Sequence, residues 1–127
     1  SLILKQSMGN QRSICISLIN LAEVTSLLDE LTAARRGFHE ALRLTIAIQA
    51  QPLTLDALVG LANLLVKDDQ PEQAIRLLQL ASQHPASSSE TQEKATHQLK
   101  ELEASLDGSH QLEDLESVVA EMLRPYT

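Results

Sequence analysis

The chain has 127 residues, 43% of them apolar, yet Phe38 and Tyr126 are its only aromatic side chains, so a core must be built from Leu, Ile, Val and Ala. That length suits one domain burying roughly two thirds of the surface its unfolded form exposes. Ten Lys and Arg stand against 17 Asp and Glu, a formal charge of -7, and no stretch gathers the cations into a phosphate-binding stripe, which argues against nucleic acid as a direct ligand.

The sequence opens at Ser1, without Met, inside a helical pattern, and so reads as part of something longer. Leu2, Ile3, Leu4 and Met8 fit the tail of a preceding helix over 1–9, which Gly9 and Asn10 are expected to end. Nothing there combines a basic region, an apolar stretch and a cleavage site, so secretion is not indicated. Leu18, Leu21, Ala22, Thr25 and Leu28 then recur three or four apart, and Ala34, Phe38, Ala41 and Leu42 do so after a short break, which predicts a helix pair over 11–50. Cys15 lies in the first apolar stretch; a single cysteine forms no intrachain disulfide and reads as a small buried thiol in a reducing, cytoplasmic setting.

A second pair is predicted over 53–83, from Leu58, Leu61, Ala62 and Leu65, then Ala74, Leu78 and Ala81. Its break spans 67–71, where Asp69 is expected to cap the next helix, Pro71 sits in the first turn and Glu72 completes a capping box. The most apolar run, 57–66, is about half the length that spans a bilayer and contains Asn63, so it reads as a buried helix and not a membrane segment. Pro85 and the serines at 87–89 then interrupt the pattern. Ser89 with Gln92 makes a capping box for a helix striped by Ala95, Leu99, Leu102 and Leu106. Asp107, Gly108 and Ser109 end it, and Leu112, Leu115, Val118, Val119, Met122 and Leu123 form a short amphipathic helix, so 89–123 reads as a capping helix pair.

Sliding the sequence against itself aligns these positions at an offset of 40, which sets Leu2 on Leu42, Leu4 on Leu44, Leu18 on Leu58, Leu21 on Leu61, Ala22 on Ala62, Val24 on Leu64, Ala34 on Ala74 and Phe38 on Leu78. Ala at 22, 34, 62 and 74 lets paired backbones approach closely, and Phe38 and Leu78 are the knobs between successive pairs.

Asn20-Leu21-Ala22 followed by Ala34, Phe38 and Ala41, and Gly60-Leu61-Ala62 followed by Ala74, Leu78 and Ala81, resemble the tetratricopeptide repeat over about residues 1–83. The 40-residue period and the closing segment after His84-Pro85 are similar to the extended repeats of large bacterial regulators that join an ATPase module to such arrays, including transcription activators of the maltose-regulator type. Thr25 and Leu65 stand where the family has an aromatic residue, and the proline expected after Ala41 is missing. The resemblance implies an all-α, right-handed α-solenoid of antiparallel helix pairs with a C-terminal capping helix pair. It also implies a non-catalytic interaction or scaffold module, the C-terminal sensor or docking part of a cytoplasmic signalling or transcriptional regulator.

In such arrays the concave face is lined by the first helix of each pair, here Ile16, Ile19, Glu23, Ser26 and Leu27, then Asp56, Val59, Asn63, Val66 and Lys67. A mixed groove of this kind suits an extended peptide or an amphipathic helix, from another protein or from another domain of the same chain, and the alternative is that the C-terminal helices fold back onto it as a cap. Lys67 and Asn63 are too few for the clamp with which chaperone-binding relatives hold a terminal carboxylate. Leu2, Leu4 and Met8 offer a second surface, through which two copies of the chain would pair as a homodimer. Glu93, His97 and Glu101 share one helix face but read as solvated, not as metal ligands. His39, His84 and His110 stand alone, and no glycine-rich phosphate loop occurs, so neither catalysis nor a cofactor is expected.

Overall fold

The computed structural model describes residues 2–105 and 114–124, with side chains from residue 9 onward. These residues form α1 (Leu2–Leu27), α2 (Leu31–Ala47), α3 (Gln51–Lys67), α4 (Pro71–Gln83), α5 (Ser89–Ser105) and α6 (Leu115–Met122), without a strand among them. The all-α class expected from a Leu- and Ala-rich, aromatic-poor sequence is what is observed.

Each helix from α1 to α4 packs on the next, and α3 also touches α1 and α5. Neighbours run antiparallel: Arg35 near the start of α2 bonds Asp68 just past the end of α3, while Thr45 near the end of α2 meets Thr54 near the start of α3.

Three helix ends turn in the same way. Asp29, Gln49 and Asp69 take φ of 63°, 57° and 60°, the left-handed conformation that closes a Schellman motif. In each, the next residue's N–H reaches the carbonyl five back (Glu30 to Thr25, Ala50 to Thr45, Gln70 to Leu65), and the left-handed residue's own N–H reaches three back. The turns stand 20 residues apart, so the 40-residue period divides into two helix-plus-turn halves.

Asp69 is therefore the closing residue of α3 and does not cap α4; Gln70 holds the cap position without a side-chain bond, and Pro71 occupies the first turn as expected. The cap of α5 is Ser88, not Ser89: its Oγ accepts the Thr91 N–H at 3.1 Å. Asp114 caps α6, accepting from the Ser117 N–H at 2.8 Å. The expected stop at Gly9 and Asn10 is not made, because α1 runs through both. Leu106, the break at 107–109 and Leu112 lie outside the described residues.

The core gathers Phe38, Leu42, Leu55, Leu58, Leu61, Leu64, Leu65, Leu77 and Leu78 with the small residues Ala22, Ala34, Ala62 and Ala74, all fully buried or nearly so. Close approach is visible at two glycines. A Cβ on Gly37 would lie 3.0 Å from that of Ala22, and one on Gly60 would lie 2.5 Å from Phe38 Cε1, so Phe38 occupies the space that Gly60 leaves. Leu21 and Leu28, expected in the core, are exposed instead. Among the described residues nothing packs on that side of α1, although the corresponding side of α3 lies under α2.

Candidate functional site

Glu23, Ser26 and Leu27 of α1, Asp56, Val59, Gly60 and Asn63 of α3, and Lys94 and Gln98 of α5 line a groove cavity of about 210 Å³. The three helices are the first, third and fifth, so residues spaced by whole repeats meet on one side of the stack. Glu23, Ser26, Leu27, Asp56, Val59 and Asn63, all named from the sequence, thus line one cavity.

The remaining expected groove residues do other things. Ile19 is buried in the core, a correction to its reading as a surface pocket. Ile16 and Val66 are exposed but do not line the cavity. Lys67 is engaged: its Nζ donates to the Ser26 carbonyl at 2.6 Å and to Asp29 Oδ1 at 3.1 Å, fastening the end of α3 to the end of α1. Through these two bonds Lys67 ties the ends of two first-of-pair helices together.

Glu23 and Asp56 define the groove's electrostatics. Both are half-buried, and neither accepts a hydrogen bond or ion pair from a described residue. Loss of hydration pushes the Glu23 carboxyl above its usual range, and the neighbouring Asp56 charge adds to this against a smaller pull from Lys94. Burial likewise raises Asp56; Lys94 opposes the rise and Glu90 reinforces it. Lys94 itself pairs with Glu90 at 3.4 Å, at the rim. The cavity thus holds two carboxylates short of compensating charge, beside the buried oxygen Oε1 of Gln98, which has no hydrogen-bond partner among the described residues.

Lys94, Gln98 and Gly60 were not found from the sequence. The 40-residue offset fails after α4, which ends at Gln83 and is stitched to α5 by side chains: Ser87 Oγ donates to the Ala81 carbonyl at 2.7 Å and the Ala86 N–H donates to His84 Nδ1 at 3.0 Å. The one available signal was Lys94 and Gln98 standing four apart on a helix face.

Whether the C-terminal helices fill the groove has a structural answer for α6. Glu121 accepts both arms of Arg76 on α4, and Leu115, Val119 and Leu123 approach Thr45, Ile46 and Ala50 at the end of α2. Arg76 holds the Glu121 carboxyl below its usual range. Leu61 and Leu65, which face this side, lie about 200° around α3 from Val59 and Asn63. So α6 covers the stack from behind, whereas α5 forms one wall of the groove.

The larger cavity, about 650 Å³, lies between α6 and the α2–α3 turn. Its buried hydroxyls bond each other, Thr54 Oγ1 donating to Thr45 Oγ1 at 2.9 Å, and Gln49, Gln51 and Glu116 supply its remaining polar side chains. Elsewhere, burial pushes the Cys15 thiol up, while burial, with the charges of Arg35 and Arg43, pushes His39 down. His97 contacts Glu101 at 3.0 Å on an exposed face. Among the described residues no three His, Cys, Asp or Glu side chains stand close enough to hold a metal ion, and no helix is long and apolar enough to cross a membrane. The pairing surface expected at Leu2, Leu4 and Met8 lies outside the described side chains. No protein-family model, no curated protein and no solved structure matches this chain.

Proposed function

We propose that the chain is a non-catalytic interaction module whose groove between α1, α3 and α5 takes an extended or helical protein segment, anchored by a Lys or Arg side chain. The observation that carries this reading is the pair Glu23 and Asp56, carboxylates from different helices that line one cavity, half-buried and without a hydrogen-bonded partner. Desolvated carboxylates side by side cost stability. A guanidinium or ammonium group between them offsets that cost with charge-assisted hydrogen bonds, while Val59 and Leu27 supply apolar contact to the stem of the same side chain.

The order of helix contacts supports the wider reading. Pairs α1–α2 and α3–α4 closed by equivalent turns are what a tetratricopeptide-type, right-handed solenoid needs, with α5 and α6 as its terminal cap. In this reading the module is the docking or sensor part of a larger cytoplasmic signalling or transcriptional regulator, and its ligand belongs to a partner protein or to another domain of the same polypeptide.

Selection of random displayed dodecapeptides on the protein tests the proposal. The selected peptides should carry Lys or Arg at a fixed position, and binding should fall at least tenfold on the Glu23→Gln, Asp56→Asn double variant, the loss of a desolvated charge pair. Failure to enrich any sequence, or equal binding by the variant, contradicts it.

A further inference from the structure

Six of the eight large apolar side chains exposed among the described residues lie between 14 and 28, and four of them, Ile14, Leu21, Val24 and Leu28, run along one side of α1. Ser17, Leu18 and Thr25 complete that side, all within about 60° of Leu21 around the helix. It carries no charge. Arg12 and Glu23, the charged residues of 9–28, stand about 160–180° around the helix from Leu21. Exposed faces of other helices are charged, by Arg36, Glu40 and Arg43 on α2 and by Glu93, Lys100 and Glu101 on α5. In a chain of net charge -7, an uncharged apolar strip lets two copies meet without bringing like charges together.

The strip is also its own complement in shape. Its first half is hollow: the small Ser13 and Ser17, with Ile14, Leu18 and Leu21, surround a shallow depression of about 260 Å³. Its second half projects, with Val24 and Leu28 each more than half exposed. Positions 14, 17, 18 and 21 have the spacing of the four-residue hole that receives a knob from a facing helix. With a second α1 laid antiparallel, Leu21 on Leu21, the Val24 of each helix enters this hole on the other and Leu28 meets Ile14. A parallel pairing would set hollow on hollow and knob on knob. The face is one that takes an antiparallel helix: forty residues on, Thr54, Ala57, Leu61 and Leu64 of α3 are buried, and α2 runs antiparallel across that helix.

We propose that this side of α1 is a docking surface for a second copy of the chain, the two α1 helices pairing antiparallel about a two-fold axis at Leu21. The same patch serves on both copies, Val24 filling the partner's hollow while the partner's Val24 fills this one. Residues 14–28 pair over about 21 Å of helix, a contact at the small end for specific interfaces, so the dimer forms at high protein concentration and Leu21 is exposed in the dilute monomer. Glu23 lies on the far side of α1, so the groove stays open in the dimer, and the pairing does not depend on Leu2, Leu4 or Met8.

Sedimentation equilibrium from low micromolar to near-millimolar protein should show reversible monomer–dimer exchange. Leu21→Glu and Leu21→Arg alter a side chain that is already exposed, so both should keep the parent's helical circular dichroism. Each should weaken the dimer at least roughly tenfold by setting like charges together at the axis, and an equimolar mixture of the two should pair at least roughly tenfold more tightly than either alone. In a Cys15→Ala background, Leu21→Cys should form an intermolecular disulfide at least roughly tenfold faster than Leu28→Cys, which is similarly exposed on the same strip but stands about 21 Å along the helix from its symmetry mate. A monomer at every concentration would overturn the proposal and make another protein the occupant. A dimer that Leu21→Glu leaves intact, a mixture of the Glu and Arg variants that does not pair, or equal crosslinking at 21 and 28 would overturn it as well.

Discussion

The two copies of the repeat carry one pattern in different surroundings. Leu61 on α3 is 1% exposed beneath α2, whereas Leu21 at the same place on α1 is 64% exposed. Val24 and Leu64 repeat the contrast, at 52% and 0%. The residues are alike and the helices are alike; what differs is whether another helix has been laid on them. In a stack of this kind an apolar position provides only the capacity to bury, and the neighbour decides whether it is used.

The sharpest ways to break that comparison are substitutions at matched places. Phe38→Ala, which empties the space between the two copies, should have the largest effect, about 3–5 kcal/mol of unfolding free energy in urea. Leu61→Ala should cost about 2–5 kcal/mol while Leu21→Ala costs less than about 0.5 kcal/mol; equal costs would mean that the stripe on α1 is covered in solution. Gly60→Ala pushes a methyl group into the Phe38 ring and should cost about 1–3 kcal/mol, whereas Asn20→Ala, at the same place on α1, should change stability by less than about 0.5 kcal/mol. Gln49→Gly should stabilise by about 0.5–1 kcal/mol, since an exposed side chain is given up for a residue that adopts positive φ freely.

The smallest effect is a pH dependence. Glu23 and Asp56 bind protons more tightly in the folded chain than in the unfolded one. Their contribution to stability is therefore greatest below the ordinary carboxylate range and declines as pH rises through the raised folded values. The Glu23→Gln, Asp56→Asn variant should melt at a higher temperature than the parent at pH 7, and the difference should close as pH falls toward about 4.

Much of this was legible in the sequence because it is local. The helix pairs follow from apolar spacing, and close packing at Ala22 and Phe38 follows from their repeat positions, although their partners Gly37 and Gly60 did not. Glu23, Asp56 and Asn63 could be placed on one face because whole repeats separate α1 from α3. What could not be read depends on the register between distant elements. The side-chain-stitched junction at 84–88 shifts α5 out of the repeat, so no offset pointed to Lys94 or Gln98. Asp69 could equally end one helix or cap the next, and the backbone settles this by placing it at φ 60°.

The most direct test of the groove is to map where a selected Lys- or Arg-bearing peptide binds, by following backbone amide shifts of the labelled protein. The largest changes should fall together on Glu23, Asp56, Asn63 and Lys94, and should disappear in the Glu23→Gln, Asp56→Asn variant. Changes concentrated instead around Thr45, Ala50 and Val119, in the larger cavity beside α6, would contradict the assignment.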